Sequence, residues 1–192
     1  NRGKEEQLIG QVVPKIVLDD DGSPILVSGE LVETVVSSDD DLYKALNEIK
    51  DMYGFENAKD EFSIISNEEV LDFRHYKVQQ KVKNVLVYGK QLVVTVDKNN
   101  KVLSITGHYY DDIEVDTSTK LSIEEVSESI KSTIKGDNVV VKEVGKYIYI
   151  DEKDEAYYTY IYTVSSSVEY YDYVVNAKTG EVINKIGKRT SS

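Results

Sequence analysis

Histidine and carboxylate side chains are the groups of this 192-residue chain that could carry out chemistry, because cysteine is absent. His75 and His108 are the only histidines, and their separation excludes the i, i+4 pair of a helical zinc site. The absence of cysteine excludes disulfides, thiol catalysis and thiolate metal sites. No G-x-S-x-G sequence is present, so a hydrolytic triad lacks a nucleophile-elbow signature. The residue chemistry therefore predicts that the chain is not an enzyme.

Two acidic clusters, Asp19–Asp21 and Asp111–Asp116, are the remaining sites where a metal could bind. Calcium prefers several oxygen ligands on a flexible loop, but neither cluster has the spacing of an EF-hand. Turn formation and solvated charge are the simpler interpretation, with a weakly bound calcium ion as the alternative. We expect no cofactor.

The overall charge limits the partners that the chain can have. With 23 basic and 35 acidic residues the formal net charge is −12, which argues against binding to nucleic acid. Between Arg74 and Lys101, however, there are seven basic residues and only one acidic residue, Asp97. This basic stretch fits either an acidic protein partner or the solvent face of a sheet. No apolar run approaches the roughly 20 residues of a membrane span.

Tyrosine is concentrated in one region, where nine of the 15 tyrosines lie between Tyr147 and Tyr173. Tyr158, Tyr160 and Tyr162 alternate with other residues and would share one face of a strand. A tyrosine-rich face could be a recognition surface, or it could be the edge of a core beneath a helix. The sequence favours the second interpretation only slightly.

The elements of the first half predict a helix beside an antiparallel meander. Strands are expected at 12–18 and 31–36, and a helix begins at Ser38 or Asp39 and ends near Gly54. Apolar residues recur at helical spacing within that helix: Leu42, Ala45, Leu46, Ile49 and Tyr53. Three further strands follow with period-two patterns at 76–82, 88–96 and 102–110.

The second half repeats the same plan. Ser122 and Glu125 form a capping-box sequence, which predicts a helix over 122–134. Strands are expected at 138–144, 147–151, 156–164, 168–175 and 181–186. The fold class is therefore α+β, with two small domains that each pack a curved antiparallel sheet on a helix. The predicted domain bounds are a lead-in at 1–30, a first domain at 31–116, a second at 120–187 and a tail at 188–192.

Two stretches of sequence resemble known families. The run His75-Tyr76-Lys77-Val78-Gln79-Gln80, followed by Tyr88-Gly89 and by a strand return ending at Gly107, resembles the fungalysin/thermolysin propeptide (FTP) motif. The hairpin around Ala177, Thr179 and Gly180 is similar to the last hairpin of a cystatin-like PepSY domain. This order is that of the prosegment of secreted thermolysin-type zinc metallopeptidases. Lys77, Leu86, Thr95 and Asn176 depart from the family pattern.

The resemblance implies a function that the side chains alone do not. Such prosegments assist the folding of the enzyme and keep it inactive until processing, so the implied partner is the catalytic domain of a thermolysin-type metalloprotease. The tail is expected to lie beyond the last strand and to occupy the active-site cleft. Its residues are Ile186, Gly187, Lys188, Arg189, Thr190, Ser191 and Ser192. The motif residues that could contact the enzyme are His75, Tyr76, Gln79, Gln80, Tyr88, Gly89, Ala177, Thr179 and Gly180.

The sequence also leaves an alternative open. The chain contains no zinc-binding helix and begins at Asn1, so we expect a bacterial, secreted prosegment whose signal peptide has been removed. A stand-alone secreted or envelope protein could use the same folds to bind or inhibit another partner. The tyrosine-rich region is the feature that motivates this alternative.

Overall fold

A computed structural model describes residues 14–188 and divides the chain into two units. Of these residues, the first unit comprises 14–80 and 89–111, and the second comprises 81–88 and 112–188. The segment 81–88 is the tip of a hairpin whose two strands lie mostly in the first unit. This segment contributes to the sheet of the second unit. Each unit has its own core, and both combine helix with antiparallel sheet, which confirms the α+β class.

Six strands form the sheet of the first unit. They are β1 (Ile16–Leu18), β2 (Pro24–Ser28), β3 (Phe62–Val70), β4 (Phe73–Val82), β5 (Val85–Val96) and β6 (Val102–Gly107). Their spatial order is β1-β2-β6-β5-β4-β3. The turn between β4 and β5 consists of Lys83 and Asn84, both at positive φ as a two-residue hairpin turn requires.

Three short helices cover one face of this sheet: α1 (Asp39–Glu48), α2 (Lys50–Tyr53) and α3 (Ala58–Glu61). The Ser38 hydroxyl accepts a hydrogen bond from the Asp41 amide and caps α1, and three aspartates in the first turn complement the helix dipole. Ile49 has non-helical angles and separates α1 from α2. Gly54, at φ 103°, ends α2 in the left-handed conformation that favours glycine.

The core of the first unit lies between these helices and the sheet. Leu42, Leu46 and Ile49 are buried against strand residues such as Val78 and Leu92. An aromatic cluster of Tyr53, Phe55, Phe62 and Tyr109 extends this core, with ring centroids 5.1–6.3 Å apart.

The second unit packs one helix on a sheet of five strands. The helix is α4 (Ile123–Lys131), and the strands after it are β7 (Val140–Ile150), β8 (Ala156–Ser165), β9 (Tyr170–Asn176) and β10 (Val182–Gly187). The start of β5, at Leu86 and Val87, pairs in parallel with β7, and β7 to β10 then pair antiparallel in chain order. The predicted capping box is confirmed, since Ser122 and Glu125 satisfy each other's backbone amides. No helix within residues 14–188 is long and apolar enough to cross a bilayer.

Several predicted strands are corrected by the structure. Residues 31–36 form no strand, because a 3-10 turn (Gly29–Leu31) leads into a coil in which Val32 and Val36 are both buried. The two strands predicted at 138–144 and 147–151 are the single strand β7, which has an irregularity between Glu143 and Gly145. The third meander strand ends at Gly107 rather than Tyr110. Of the first predicted strand, residues 12 and 13 lie outside the described residues.

Candidate functional site

The propeptide-like sequence on β4 is divided between two faces of the sheet. Tyr76 is buried in the core of the first unit, and Gln80 lies on the same face. His75 and Gln79 alternate with them and lie on the opposite face. The residues that the resemblance groups together therefore have two different environments.

Gln80 holds the backbone of the segment that follows β6. Its amide nitrogen Nε2 donates to the Tyr110 carbonyl at 2.7 Å, and its Oε1 accepts from the Tyr110 amide at 2.9 Å. The Gln80 side chain thus satisfies both backbone groups of Tyr110, as a neighbouring strand would, although Tyr110 lies beyond the end of β6. Because Gln80 is almost completely buried, this role requires a group that both donates and accepts.

His75 joins β4 to β5. Its Nδ1 lies 3.0 Å from the hydroxyl of Thr95, one of the residues that depart from the resembled pattern. His108 is exposed and follows β6, and its amide donates to the Gln91 carbonyl at 2.9 Å. In the part of the chain that the structure describes, neither histidine belongs to a cluster that could hold a metal.

Tyr88 and Gly89 lie where the hairpin passes from one unit to the other. In the second unit, the Tyr88 ring contacts Tyr147 edge-on at 5.8 Å and Tyr149 at 6.1 Å. Burial raises the pKa of the Tyr88 hydroxyl, and the nearby Asp172 carboxylate raises it further. Gly89 has a φ of 74°, where a side chain would strain the backbone.

The turn that contains Ala177, Thr179 and Gly180 is formed by side-chain acceptors. Asn176 Oδ1 accepts from the amides of Lys178 and Thr179, and the Thr179 hydroxyl accepts from the Glu181 amide. Gly180, at φ 78°, completes the turn. Asparagine supplies the same acceptor that the family's aspartate would, so the departure at this position preserves the turn.

The same turn anchors the segment that precedes α4. The Thr119 hydroxyl donates to the Ala177 carbonyl at 2.5 Å, and Lys178 forms an ion pair with Asp116. Hydrogen bonds from Lys178 and Ser118 hold the pKa of the Asp116 carboxyl well below its usual range. The segment between Asp116 and α4 is therefore attached to the sheet by both polar and charged contacts.

The tail begins within the sheet. Ile186 and Gly187 are the last residues of β10. The predicted strand at 181–186 already included Ile186, whereas Gly187 was expected beyond the final strand, so its placement is corrected. Lys188 follows, and its ammonium lies 3.4 Å from Oδ2 of Asp172. Asp172 is 9% exposed and also accepts from the Thr163 hydroxyl at 2.7 Å. Arg189, Thr190, Ser191 and Ser192 lie outside the described residues.

The tyrosines of β8 belong to the core beneath α4. Tyr158, Tyr160 and Tyr162 are buried on the helix side of the sheet. Tyr160 donates to the Leu121 carbonyl at 2.6 Å and Tyr162 to the Ile123 carbonyl at 2.7 Å, so both hydroxyls hold the start of the helix. Of the two interpretations of this tyrosine face, the structure supports the core.

The acidic and basic clusters differ in how far they are engaged in local structure. Asp19 Oδ1 accepts from the amides of Asp21 and Ser23 and so forms a turn. Within residues 14–188, no group of three or more histidine or carboxylate side chains could hold a metal ion. Arg74 binds the neighbouring strand, whereas Lys77, Lys98 and Lys101 of the basic stretch are exposed.

Comparison with known proteins identifies the segment that carries these motif residues. Residues 60–109 match the sequence model of the Fungalysin/Thermolysin Propeptide Motif. This segment carries the propeptide motif. The resemblance seen in the sequence is confirmed there, and the motif describes a propeptide, which is a non-catalytic segment.

A curated relative and a solved structure extend the comparison. Bacillolysin of Brevibacillus brevis is 26% identical over 164 residues, which cover 77% of this chain and 31% of that protein. The chain thus spans about a third of the relative's length. The C-terminal domain of YpeB from Bacillus megaterium has a TM-score of 0.38 and 17% identity, over 91% of this chain and 73% of that one.

Asp172 and Leu71 were not singled out by the sequence analysis. Asp172 stands among tyrosines in a strand with an apolar pattern, and a charge in such a strand is a signal for a buried partner. Leu71 lies in the two-residue turn between β3 and β4, at a φ of 57°. No turn residue such as glycine or asparagine marks that position, so its conformation gave no signal in the sequence.

Proposed function

We propose that this chain is a prosegment that assists the folding of a thermolysin-type zinc metallopeptidase and inhibits it until processing. The observation that carries the proposal is the propeptide motif at residues 60–109. The match to bacillolysin over most of the chain supports it. By the same resemblance the partner is the catalytic domain of the cognate protease, and the prosegment is secreted by a bacterium.

The described residues support a binding role. The hydrogen bonds of Gln80, Asn176 and Thr119 maintain turns and segment ends, and the β8 tyrosines hold a helix. Polar groups inside and outside the motif therefore fix the local structure of each unit. A rigid surface binds a partner without a large loss of conformational entropy.

The inhibitory segment in this proposal is the part of the tail beyond β10, Lys188–Ser192. An extended peptide can pair with an edge strand of a protease and gain main-chain hydrogen bonds as a substrate does. The pair between Lys188 and Asp172 fixes where this segment leaves the sheet. The two units supply the rest of the contact area, which we expect to reach the roughly 1,600 Å² of a standard interface.

Assistance in folding has a separate physical basis. Secreted proteases often depend on a high unfolding barrier rather than on equilibrium stability. A prosegment that binds the folding transition state lowers the barrier to folding. Once the prosegment has been removed, the barrier to unfolding of the mature protease is as high as before. The two activities can therefore be separated by experiment.

Truncation after Lys188 tests the proposed division of roles. This variant keeps the ion pair with Asp172 and the whole of β10. We expect it to raise the refolding yield of the denatured cognate protease as the full chain does. Its inhibition constant for the protease, measured with a small peptide substrate, should rise at least about tenfold. Equal inhibition by the two chains would contradict a role of the tail in the cleft.

The alternative function is a stand-alone secreted or envelope protein that binds or inhibits another partner. The cluster of Tyr88, Tyr147 and Tyr149 is the observation in its favour, because these rings lie on the sheet face without a helix. Reading the gene downstream of Ser192 distinguishes the two. An H-E-x-x-H sequence in frame supports the prosegment, and an immediate stop codon supports the alternative.

A further inference from the structure

The tip of the β3–β4 hairpin, residues Val70–Phe73, exposes apolar side chains to solvent. Leu71 is 87% exposed, Val70 51% and Phe73 41%. Asp72 is the only polar residue of the four. The outer half of β3 contributes nothing to the core, which on this strand ends at Ile64. Exposed apolar residues at a sheet edge promote aggregation, so they are expected where another surface covers them.

The backbone of Leu71 indicates that its side chain is needed at this place. Its φ of 57° lies in the left-handed region, which is costly for a residue with a β-carbon. Glycine would occupy this turn position without strain. Packing within the chain does not compensate for the strain, because Leu71 is almost fully exposed. Strain that persists in a native turn points to a functional contact.

The hairpin presents this residue rigidly. Glu69 pairs with Arg74 and Val70 with Phe73 across the two strands. The Arg74 guanidinium donates to Asn67 Oδ1 at 2.6 Å and to Glu69 Oε2 at 3.2 Å. The tip therefore loses little conformational freedom when it binds.

The charge around the tip defines the surface that would receive it. Glu68, Glu69 and Asp72 lie beside the apolar residues in the sequence of the hairpin, and the charge of Arg74 is already paired with Glu69. A complementary surface has an apolar pocket with basic residues at its rim. The tip also lies inside the segment that carries the propeptide motif.

We propose that the hairpin tip inserts Leu71 into an apolar pocket with a basic rim on the catalytic domain of the cognate metalloprotease. Val70 and Phe73 flank the inserted side chain and exclude water from it. This proposal rests on the proposed function, and it adds a second contact at a distance along the chain from the tail.

The test compares Leu71→Gly with wild type and with a matched control. The substitution removes the side chain and the backbone strain together, so the unfolding midpoint should stay equal to or above that of wild type. The inhibition constant for the cognate thermolysin-type protease should rise at least about tenfold. Leu71→Asn, which also tolerates the left-handed region, should behave in the same way. The control is Val168→Asn, an exposed apolar residue at 67% that lies in a loop of the second unit, and it should inhibit as wild type does.

The outcomes separate the two proposals. If wild type inhibits the protease and both Leu71 variants inhibit it as strongly as wild type, the proposed hairpin contact is wrong and the prosegment function stands. The same conclusion holds if Val168→Asn weakens inhibition as much as Leu71→Gly. If folded wild type does not inhibit the cognate protease, the proposed function itself fails.

Discussion

Tyrosine hydroxyls differ in whether their burial is compensated. Among residues 14–188, the hydroxyl of Tyr53 is the buried side-chain polar atom that has no hydrogen-bond partner. Tyr162 is fully buried too, but it donates to the Ile123 carbonyl. Since an unpaired buried hydroxyl is costly and a paired one is not, the same substitution should have opposite effects at the two positions.

Tyr53→Phe should leave the free energy of unfolding unchanged or raise it by up to about 1 kcal/mol, because it removes an unpaired hydroxyl. Tyr162→Phe should lower it by about 1 kcal/mol, because the Ile123 carbonyl loses its partner. Urea unfolding of the two variants and wild type measures the difference. A loss for Tyr53→Phe as large as that for Tyr162→Phe would show that the Tyr53 hydroxyl has a partner in solution.

Three tyrosines should resist alkaline titration. Burial raises the pKa values of the hydroxyls of Tyr53, Tyr162 and Tyr173 well above the ordinary 10.0, and the Glu169 carboxylate raises that of Tyr173 further. Below pH 10 these groups are protonated in both folded and unfolded chains, so their stabilising contribution is fully present and does not change with pH. Above pH 10 the unfolded chain releases protons that the folded chain retains, so stability falls as the pH rises.

Tyrosinate absorbance as a function of pH checks this prediction. We expect the tyrosines with strongly raised pKa values, Tyr53, Tyr162 and Tyr173 among them, to remain protonated at pH 10 and to titrate only at higher pH or when the chain unfolds. Tyr162→Phe should make the loss of stability above pH 10 less steep. Titration of all tyrosines near pH 10 in a chain that is still folded would overturn the assignment.

At the scale of elements, the two longer helical segments were predicted because their signals are local, whereas the single turn of α3 was not. Ser38 and Gly54 mark the ends of α1 and α2, and Ser122 with Glu125 marks the start of α4. The apolar stripe of the first helical segment is buried, as its spacing predicts. The break at Ile49 was not predicted, because the stripe continues through it without a change in period.

Strands were predicted less well because their partners are distant in the chain. β2 was missed since it begins at Pro24, which resembles the end of a turn, and β3 was missed since its outer half is polar and exposed. Residues 31–36 have a strand-like composition, but only Val35 forms an isolated bridge, with Lys101. Pairing of this kind depends on tertiary contacts rather than on local pattern.

Ser122→Ala tests the contribution of the capping box to the second unit. The serine hydroxyl accepts from the Glu125 amide at 3.0 Å, so its loss should lower the free energy of unfolding by about 1 kcal/mol. Ser129→Ala is the matched control, because this exposed serine lies within the same helix and alanine is the better helix former. In thermal unfolding, Ser129→Ala should be the most stable, wild type intermediate and Ser122→Ala the least stable. A neutral Ser122→Ala would contradict the role of the cap.

For the whole molecule, residue types excluded functions but did not supply one. The absence of cysteine and the scarcity of histidine argued against an enzyme, and only the propeptide motif led to a specific proposal. The roles of the motif residues could not be derived from sequence, because the Gln80 contact joins residues 30 apart and the Thr119 contact joins residues 58 apart. The hairpin tip was missed for a different reason, since exposure is a property of the folded chain.

The central claim is that this chain binds and inhibits a thermolysin-type metalloprotease. The most direct test is to titrate the folded full-length chain into the cognate protease and to follow cleavage of a small peptide substrate. We predict that cleavage slows with increasing chain and that the cognate enzyme is inhibited more strongly than other thermolysin-type proteases. Unchanged cleavage by the cognate enzyme at micromolar chain, with folding verified by circular dichroism, would contradict the claim.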